Sequence, residues 1–187
     1  MKKLAFYLGM MVVSMGLFTT NVIAQDTSEA GEAITYSLPA MRILDVEGTA
    51  PTLSIVAPDE AGTAIADATS NTSWINYTSV IETGTTNKVT VALTGATVPA
   101  GTTLKVVAAV DAGLGDGSLG TPADEVTLST TAQDLITAIG SCYTGDGSSS
   151  GHQLTYTWSV DAADYANIVA TASASDITAT YTITATL

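Results

Sequence analysis

The last stretch of the chain has the most regular pattern of hydrophobic and polar positions. From Ile177 to Leu187, apolar residues alternate with threonines without a break. A period of two places successive side chains on opposite faces of a pleated strand, and threonine suits strands because its χ1 rotation is restricted. The pattern predicts a strand over 176–187 with one apolar face and one hydroxyl-bearing face. A lone strand cannot bury its apolar face, so we expect it to close an antiparallel sheet.

Shorter alternating stretches recur along the chain, separated by turns that contain glycine or proline. The predicted strands are 33–38, 41–46, 52–57, 73–81, 88–94, 103–111, 125–129, 153–160, 165–171 and 176–187. Residues 131–139 fit a helix face through Leu135, Ile136 and Ile139, but their β-branched content favours a strand, which we predict. Residues 112–123 and 140–151 are glycine-rich loops.

These short strands at even spacing, with almost no helix, predict an all-β fold. The expected architecture is an immunoglobulin-like antiparallel β-sandwich, with a barrel as the alternative. We find no internal repeat and no boundary within residues 33–187, so this range is predicted to form a single β-sandwich domain.

The first 24 residues predict a secretory signal peptide. Lys2 and Lys3 precede an apolar run from Leu4 to Phe18, and small residues ending at Ala24 resemble a cleavage site. A membrane anchor is the alternative, but its apolar core needs about 20 residues and this run is shorter. Residues 25–32 are polar and acidic, and we expect a flexible N-terminus there. The expected location is the periplasm, the cell surface or the extracellular medium, without membrane insertion after cleavage.

The charge balance argues against two classes of partner. The whole chain carries a formal net charge of −13. Without residues 1–24, three basic residues face 18 acidic ones, which leaves −15. Such a field repels phosphate backbones and anionic lipid head groups, so neither nucleic acid nor a membrane surface is an expected partner. Solubility outside the cell explains the acidity, and divalent cation binding is the alternative.

Few residues capable of catalysis are present. Cys142 is the only cysteine, so no disulfide forms within the chain, and burial is the commonest fate of such a thiol. The stretch Gly147-Ser148-Ser149-Ser150-Gly151 matches the G-x-S-x-G pattern of serine hydrolases, but it lies in a Ser/Gly run that is typical of a linker. His152, the only histidine, is predicted to be a surface residue at the start of a strand. No catalytic residue is therefore assigned.

One loop has the composition of a calcium site. Asp111 and Asp116 flank glycines, and carboxylates together with backbone carbonyls are ligands that calcium prefers. Asp124, Glu125 or Asp146 could add ligands from neighbouring loops. Aspartate and glycine are also the usual residues of turns, and this second interpretation is favoured. The sequence therefore predicts no cofactor, with calcium as the alternative and Asp111 and Asp116 as its candidate ligands.

The two tryptophans receive different predictions. Trp158 lies at the same alternate positions of its predicted strand as Leu154 and Tyr156, so its side chain should point to the same face, and it is assigned to the core. Trp74 has the parity of polar neighbours, so we expect it to be partly exposed and name it as the candidate ligand contact, for example with a glycan. The threonine face of 178–186 is a further candidate surface, although solvent-facing threonine on an outer strand is the commoner explanation.

Three stretches resemble small secreted proteins of Gram-negative bacteria that have no assigned activity: 140–145 (GSCYTG), 151–157 (GHQLTYT) and 73–78 (SWINYT). The closing Thr-Tyr-Thr-Ile-Thr-Ala-Thr is similar to the last strand of fimbrial and spore-coat-U-like subunits. That resemblance implies an immunoglobulin-like sandwich that assembles by donating a strand. This chain lacks the cysteine pair of those subunits, and Ile34, Tyr36 and Leu38 are its one short candidate donor.

The sequence therefore predicts a non-enzymatic secreted protein with a structural, adhesive or surface-assembly role, similar to a fimbrial subunit. Other protein subunits or surface glycans are the expected partners. The alternative is a calcium- or glycan-binding β-sandwich module that uses Asp111, Asp116 and Trp74. A hydrolase built on Ser149 is the third hypothesis.

Overall fold

The computed structural model describes residues 31–170 and 176–186. The predicted signal peptide, residues 1–24, and residues 25–30 of the predicted acidic N-terminus lie outside the described residues. The chain divides into two units, Met1–Ser37 and Leu38–Leu187. Of the first unit, residues 31–37 are described and have no regular secondary structure. The second unit contains all the strands given below.

Eleven strands and one 3-10 helix form the described part of the second unit. The strands are β1 (Met41–Gly48), β2 (Ala68–Val80), β3 (Thr86–Gly95), β4 (Thr102–Ala108), β5 (Asp116–Gly117), β6 (Thr121–Pro122), β7 (Val126–Thr127), β8 (Gln133–Ile139), β9 (Cys142–Tyr143), β10 (His152–Val160) and β11 (Ile177–Thr186). The helix is Ala162–Asn167.

The strands form two antiparallel sheets that pack on one another. The larger sheet has the order β5-β9-β2-β10-β4-β7, with β1 also paired to β2, and the smaller has the order β11-β3-β8-β6. The long strands β2, β3, β4, β8, β10 and β11 alternate between the two sheets along the chain. Successive long strands therefore place their apolar side chains on opposite sides of one shared core. The protein is thus all-β, an antiparallel β-sandwich, as the sequence predicts.

β11 shows how the alternating pattern becomes structure. It pairs with β3 over all ten of its residues. Ile177, Tyr181 and Ile183 pack against the core, whereas Thr178 and Thr182 are exposed. The predicted division into an apolar face and a threonine face is confirmed, because neighbouring side chains of a strand point to opposite sides of the sheet.

The two sheets pack closely at one end of the sandwich, which we call the closed end and define by Tyr77, Asn87, Ile139 and His152. All four side chains are buried, and three of them are almost inaccessible to solvent. Packing of this density removes most apolar surface from water, which is the main stabilising contribution to folding.

A short hydrogen-bond chain links the sheets at the closed end. Arg42 Nε in β1 donates to Asn87 Oδ1 at 2.7 Å. Asn87 Nδ2 in turn donates to Ser79 Oγ at 2.8 Å. Asn87 and Ser79 are fully buried, so these bonds remove the cost of placing an amide and a hydroxyl inside the core.

Three predicted strands are wrong. Residues 33–38 and 52–57 have the alternating pattern, but no strand forms there. Alternation sets which side chains share a face, whereas a strand also needs a neighbour for its backbone hydrogen bonds. The third stretch, 165–171, overlaps the 3-10 helix Ala162–Asn167, which Asp161 caps by accepting a hydrogen bond from the Ala163 amide at 2.9 Å.

Residues 131–139 do form a strand, as predicted, and the structure explains their helix-like spacing. The pairing of β8 with β3 shifts register at two places, and Ala138 has a positive φ of 55°. These irregularities break strict alternation. Leu135, Ile136 and Ile139 can therefore all be buried on one strand.

Candidate functional site

The end of the sandwich opposite the closed end is open, and it contains a groove of about 970 Å³. One wall is the end of β1 together with residues 49–55, and the other wall is the first half of β11. Leu53, Leu104 and Ile177 are among its apolar lining residues and are only partly buried. We call this region the groove end. Its volume is within the range of ligand sites in proteins.

The floor of the groove is polar. Trp158 Nε1 is a buried atom without a hydrogen-bond partner among the described residues, and Trp158 and the buried Ser73 both line the groove. Beside them the hydroxyl groups of Tyr156 and Tyr181 hydrogen-bond to each other. Burial raises the pKa of both phenols above the ordinary tyrosine value, so they remain neutral donors and acceptors at physiological pH.

The prediction that Trp158 belongs to the core is therefore only partly confirmed. Its inward direction is confirmed, since it lines the groove between the sheets, but it is half-buried and not part of the close-packed core. A donor-only indole N–H normally finds a partner when it is buried. Alternation along β10 identified the side of the sheet correctly, but it carries no information about a gap in the opposing sheet.

β11 forms one edge of the groove and one edge of its sheet. Among the described residues it pairs with β3 alone. Its ten residues contain no charge, no proline and no glycine. Proteins usually protect edge strands with charges, proline, bulges or short length, because a bare edge pairs readily with another chain.

The other edges of the sandwich are protected in these ways. β1 contains Arg42, Asp45 and Glu47 within eight residues. The outer strands β5, β6 and β7 each have two residues. Residues 50–57, which lie across the groove from β11, form no strand pairing with it in the described chain. β11 is consequently the long, uncharged edge among the strands that the structure describes.

Residues 33–38 carry apolar side chains that are largely exposed. Ile34 is 82% exposed, Tyr36 is 91% exposed and Leu38 is 73% exposed. Alternate residues of this stretch are thus apolar and unburied, and the stretch has no backbone pairing in the described chain. Large exposed hydrophobic side chains grouped in this way are typical of interaction sites.

The two predicted calcium ligands lie in and after the 109–115 loop. Asp111 Oδ1 accepts a hydrogen bond from the Gly113 amide at 2.8 Å, and Asp116 Oδ1 accepts one from the Gly117 amide at 2.7 Å. Short bonds of this kind stabilise turns. Asp111 Oδ2 is buried and has no partner among the described residues.

The other acidic residues do not complete a recognisable metal site. Glu125 is paired with Lys105 at 2.7 Å, and Asp124 and Asp146 are exposed. Within residues 31–170 and 176–186, no group of three or more His, Cys, Asp or Glu side chains has an arrangement suited to a metal ion. Calcium binding by Asp111 and Asp116 stays a prediction.

Trp74 lies on the outer face of the larger sheet. It is half-buried, and its register partners are Glu47 on β1 and Gln153 on β10. Directly paired residues project from the same face, so the indole is flanked by a carboxylate and an amide. The sequence predicts partial exposure correctly, while ligand contact through Trp74 stays a prediction.

His152 is not a surface residue, so that prediction is wrong. It begins β10 as expected, but it is 1% exposed. Its Nδ1 lies 2.8 Å from the Ala109 carbonyl oxygen, its Nε2 lies 2.7 Å from Tyr77 Oη, and its ring stacks on that of Tyr77. The Tyr77 hydroxyl also donates to the Leu119 carbonyl oxygen.

The loop before His152 explains its burial. Gly151 has a positive φ of 67°, and a Cβ at this position would lie 2.3 Å from the Ile75 carbonyl oxygen. Only glycine allows this close approach, and the approach brings His152 onto β2. The loop is also fixed by Thr144, which is fully buried and accepts a hydrogen bond from the Tyr77 amide at 2.9 Å.

Ser149 and His152 do not meet. Both ring nitrogens of His152 are engaged by Ala109 and Tyr77, and Ser149 is exposed on the loop. A nucleophilic serine needs a base within hydrogen-bond reach. Cys142 is a free thiol that is buried, as predicted, and burial raises its pKa to about 11, so it is not an activated nucleophile.

Comparisons with known proteins assign no family to this chain. No protein-family model matches it, and neither a curated protein nor a solved structure matches it. None of the helices that the structure describes is long and apolar enough to cross a membrane.

Proposed function

We propose that this protein is a secreted, non-enzymatic structural subunit that assembles with further copies of itself at a bacterial surface, in the manner of fimbrial subunits. The observation that carries the proposal is β11, a ten-residue uncharged edge strand beside an apolar groove. A second chain can add a strand to such an edge, because every second residue offers an unpaired N–H and C=O group.

The groove makes strand addition at β11 more favourable than pairing at a flat edge. Inward-facing side chains of an added strand would enter a space lined by Leu53, Leu104 and Ile177. Burial of apolar surface then adds to the backbone hydrogen bonds. The half-buried residues at the groove end would become fully buried, as those of the closed end already are.

Residues 33–38 of a neighbouring copy are the proposed added strand. Ile34, Tyr36 and Leu38 alternate with polar or small residues and are mostly exposed. The stretch ends at the boundary of the compact second unit, which begins at Leu38. The stretch 33–38 contains no charged residue. Its entry into an apolar groove therefore requires no desolvation of a charge.

Light scattering after size-exclusion chromatography tests the proposal. The full chain, expressed from residue 1 so that export takes its natural course, is expected to form oligomers whose mass grows with concentration. Ala179→Lys places a charge in the groove, since Ala179 is a half-buried lining residue, and it should yield monomers.

Thr127→Lys is the matched control, because Thr127 is an exposed threonine on β7 in the other sheet and not on the β11 edge. This variant should assemble like the parent protein. A parent protein that stays monomeric at every concentration, or equal effects of the two lysines, would contradict assembly through the groove.

A calcium-binding role is the second candidate. The observation that favours it is the buried Asp111 Oδ2, which has no partner among the described residues, because a buried carboxylate oxygen normally binds a donor or a cation. Millimolar calcium should then raise Tm, and Asp111→Asn should remove the rise. An unchanged Tm of the parent protein would exclude this role.

A further inference from the structure

The floor of the groove contains one polar group that the described chain leaves unpartnered. Trp158 Nε1 is buried and has no hydrogen-bond partner among the described residues. Buried polar groups in native proteins are almost always paired, because an unpaired one forfeits its bonds to water. An occupant of the groove that pairs this indole N–H would therefore bind better than a purely apolar one.

The chemistry of the floor restricts the occupant. An indole N–H can only donate, so its partner must supply an acceptor oxygen. Among the described lining residues Glu47 and Asp176 are acidic and none is basic, so an anionic carboxylate would find no positive partner there. A neutral hydroxyl fits, because it can accept from Trp158 and brings no charge into the groove.

We propose that Tyr36 of a second copy supplies this hydroxyl, so that the groove selects its occupant by one tyrosine. This inference depends on the proposed assembly and names the residue that gives it specificity. Tyr36 is the central member of the exposed set Ile34, Tyr36 and Leu38. Its neighbours on the same face lie about 7 Å to either side in an extended strand, where they would contact the apolar walls.

The other exposed tyrosines of the described chain do not meet these requirements. Tyr143 belongs to β9, which is paired on both sides by β2 and β5. Tyr165 lies in the 3-10 helix. Neither belongs to an unpaired extended stretch, so neither can enter the groove as part of an added strand.

A double-mutant cycle on the full chain tests the contact, with the assembly constant measured by sedimentation. Tyr36→Phe keeps the ring and removes the hydroxyl, and it should weaken assembly about three- to tenfold. Trp158→Phe should weaken it similarly. The double variant should be no weaker than either single one, because each removes the same hydrogen bond. Tyr165→Phe is the matched control and should assemble normally.

Fluorescence provides a second readout that does not depend on a Trp158 variant. Trp74 and Trp158 are the two tryptophans of the chain, so Trp74→Phe leaves Trp158 as the sole reporter. Its emission should shift on assembly, and Tyr36→Phe should reduce the shift.

The outcomes separate this inference from the assembly itself. If Ala179→Lys abolishes oligomers while Tyr36→Phe assembles like the parent, or if the effects of Tyr36→Phe and Trp158→Phe multiply, the tyrosine contact is wrong and the assembly stands. If the parent protein never forms oligomers, both proposals are wrong.

Discussion

The closed end and the groove end are built from the same two sheets, but they are completed differently. At the closed end Tyr77 and Ile139 are buried, and Asn87 and His152 have hydrogen-bond partners within the chain. At the groove end Ile177 and Leu104 are half-buried, and Trp158 Nε1 is buried without a partner among the described residues.

The difference indicates which end of the sandwich is fully packed within a single chain. A packed end has little apolar surface left to bury, whereas a half-buried end beside an edge strand with one free side is where the proposed added chain would stabilise the fold. Substitutions at the closed end should therefore act on the stability of the single chain, and substitutions at the groove end should act mainly on assembly.

The largest expected effect on the single chain is that of Ile139→Ala. Ile139 is fully buried, and its Cγ1 lies so close to Gly120 that a Cβ there would be 2.6 Å away. Truncation leaves a cavity that this packed region cannot fill. We expect a loss of about 2–5 kcal/mol in the free energy of unfolding, measured by urea denaturation.

Ile177→Ala is the matched substitution at the groove end. Ile177 is half-buried and lines the groove, so its loss should lower the stability of the monomer by less than half as much and weaken assembly more strongly. Equal losses of monomer stability would remove the distinction between the two ends.

A second pair of substitutions compares buried tyrosine hydroxyls. Tyr77→Phe removes the hydroxyl that contacts both His152 and the Leu119 carbonyl, and it should cost about 1–3 kcal/mol in the free energy of unfolding. Tyr181→Phe removes one hydrogen bond, to Tyr156 at the groove end, and should cost less. The same urea measurement ranks them, and the reverse order would contradict the comparison.

The buried thiol of Cys142 is expected to cause a loss of stability at alkaline pH. Burial raises the pKa of Cys142 from its ordinary value near 9 to about 11. Between these values the unfolded chain loses a proton that the native chain retains, so the native state binds more protons and stability falls as pH rises.

Urea midpoints measured from pH 8 to pH 11 test this direction, with Cys142→Ala as the comparison. The variant should lose part of the fall in stability. The remainder is attributed to Tyr77, Tyr156 and Tyr181, whose pKa values burial also raises. A parent protein whose stability rises over this range would contradict the assignment.

The sequence predicted the central strands well because their side chains alternate and their partners are present. β3, β4, β10 and β11 lie where the pattern placed them. Residues 33–38 and 52–57 have the same pattern and form no strand. The difference is the absence of a hydrogen-bonding neighbour in the described chain, and a local pattern carries no information about neighbours.

The candidate site was harder to predict than the fold. The pattern predicts Ile34, Tyr36 and Leu38 as a short donor, which stays a prediction, and it gives Trp158 the correct face, but nothing local indicates that the sheets separate beside it. The prediction for His152 is wrong for a similar reason. Its burial depends on Gly151 approaching Ile75, a contact between residues far apart in the chain.

The order of apolar and polar residues by itself determined that this chain forms strands, which side of β11 is apolar, and that two sheets share a core. Those properties are local, since they follow from the pleat and from the removal of apolar side chains from water. Only the tertiary structure decided which edge has no partner, where the sheets part to leave a groove, and that His152 is buried. Each of these depends on which strands become neighbours, and strand pairing joins segments that are distant in sequence.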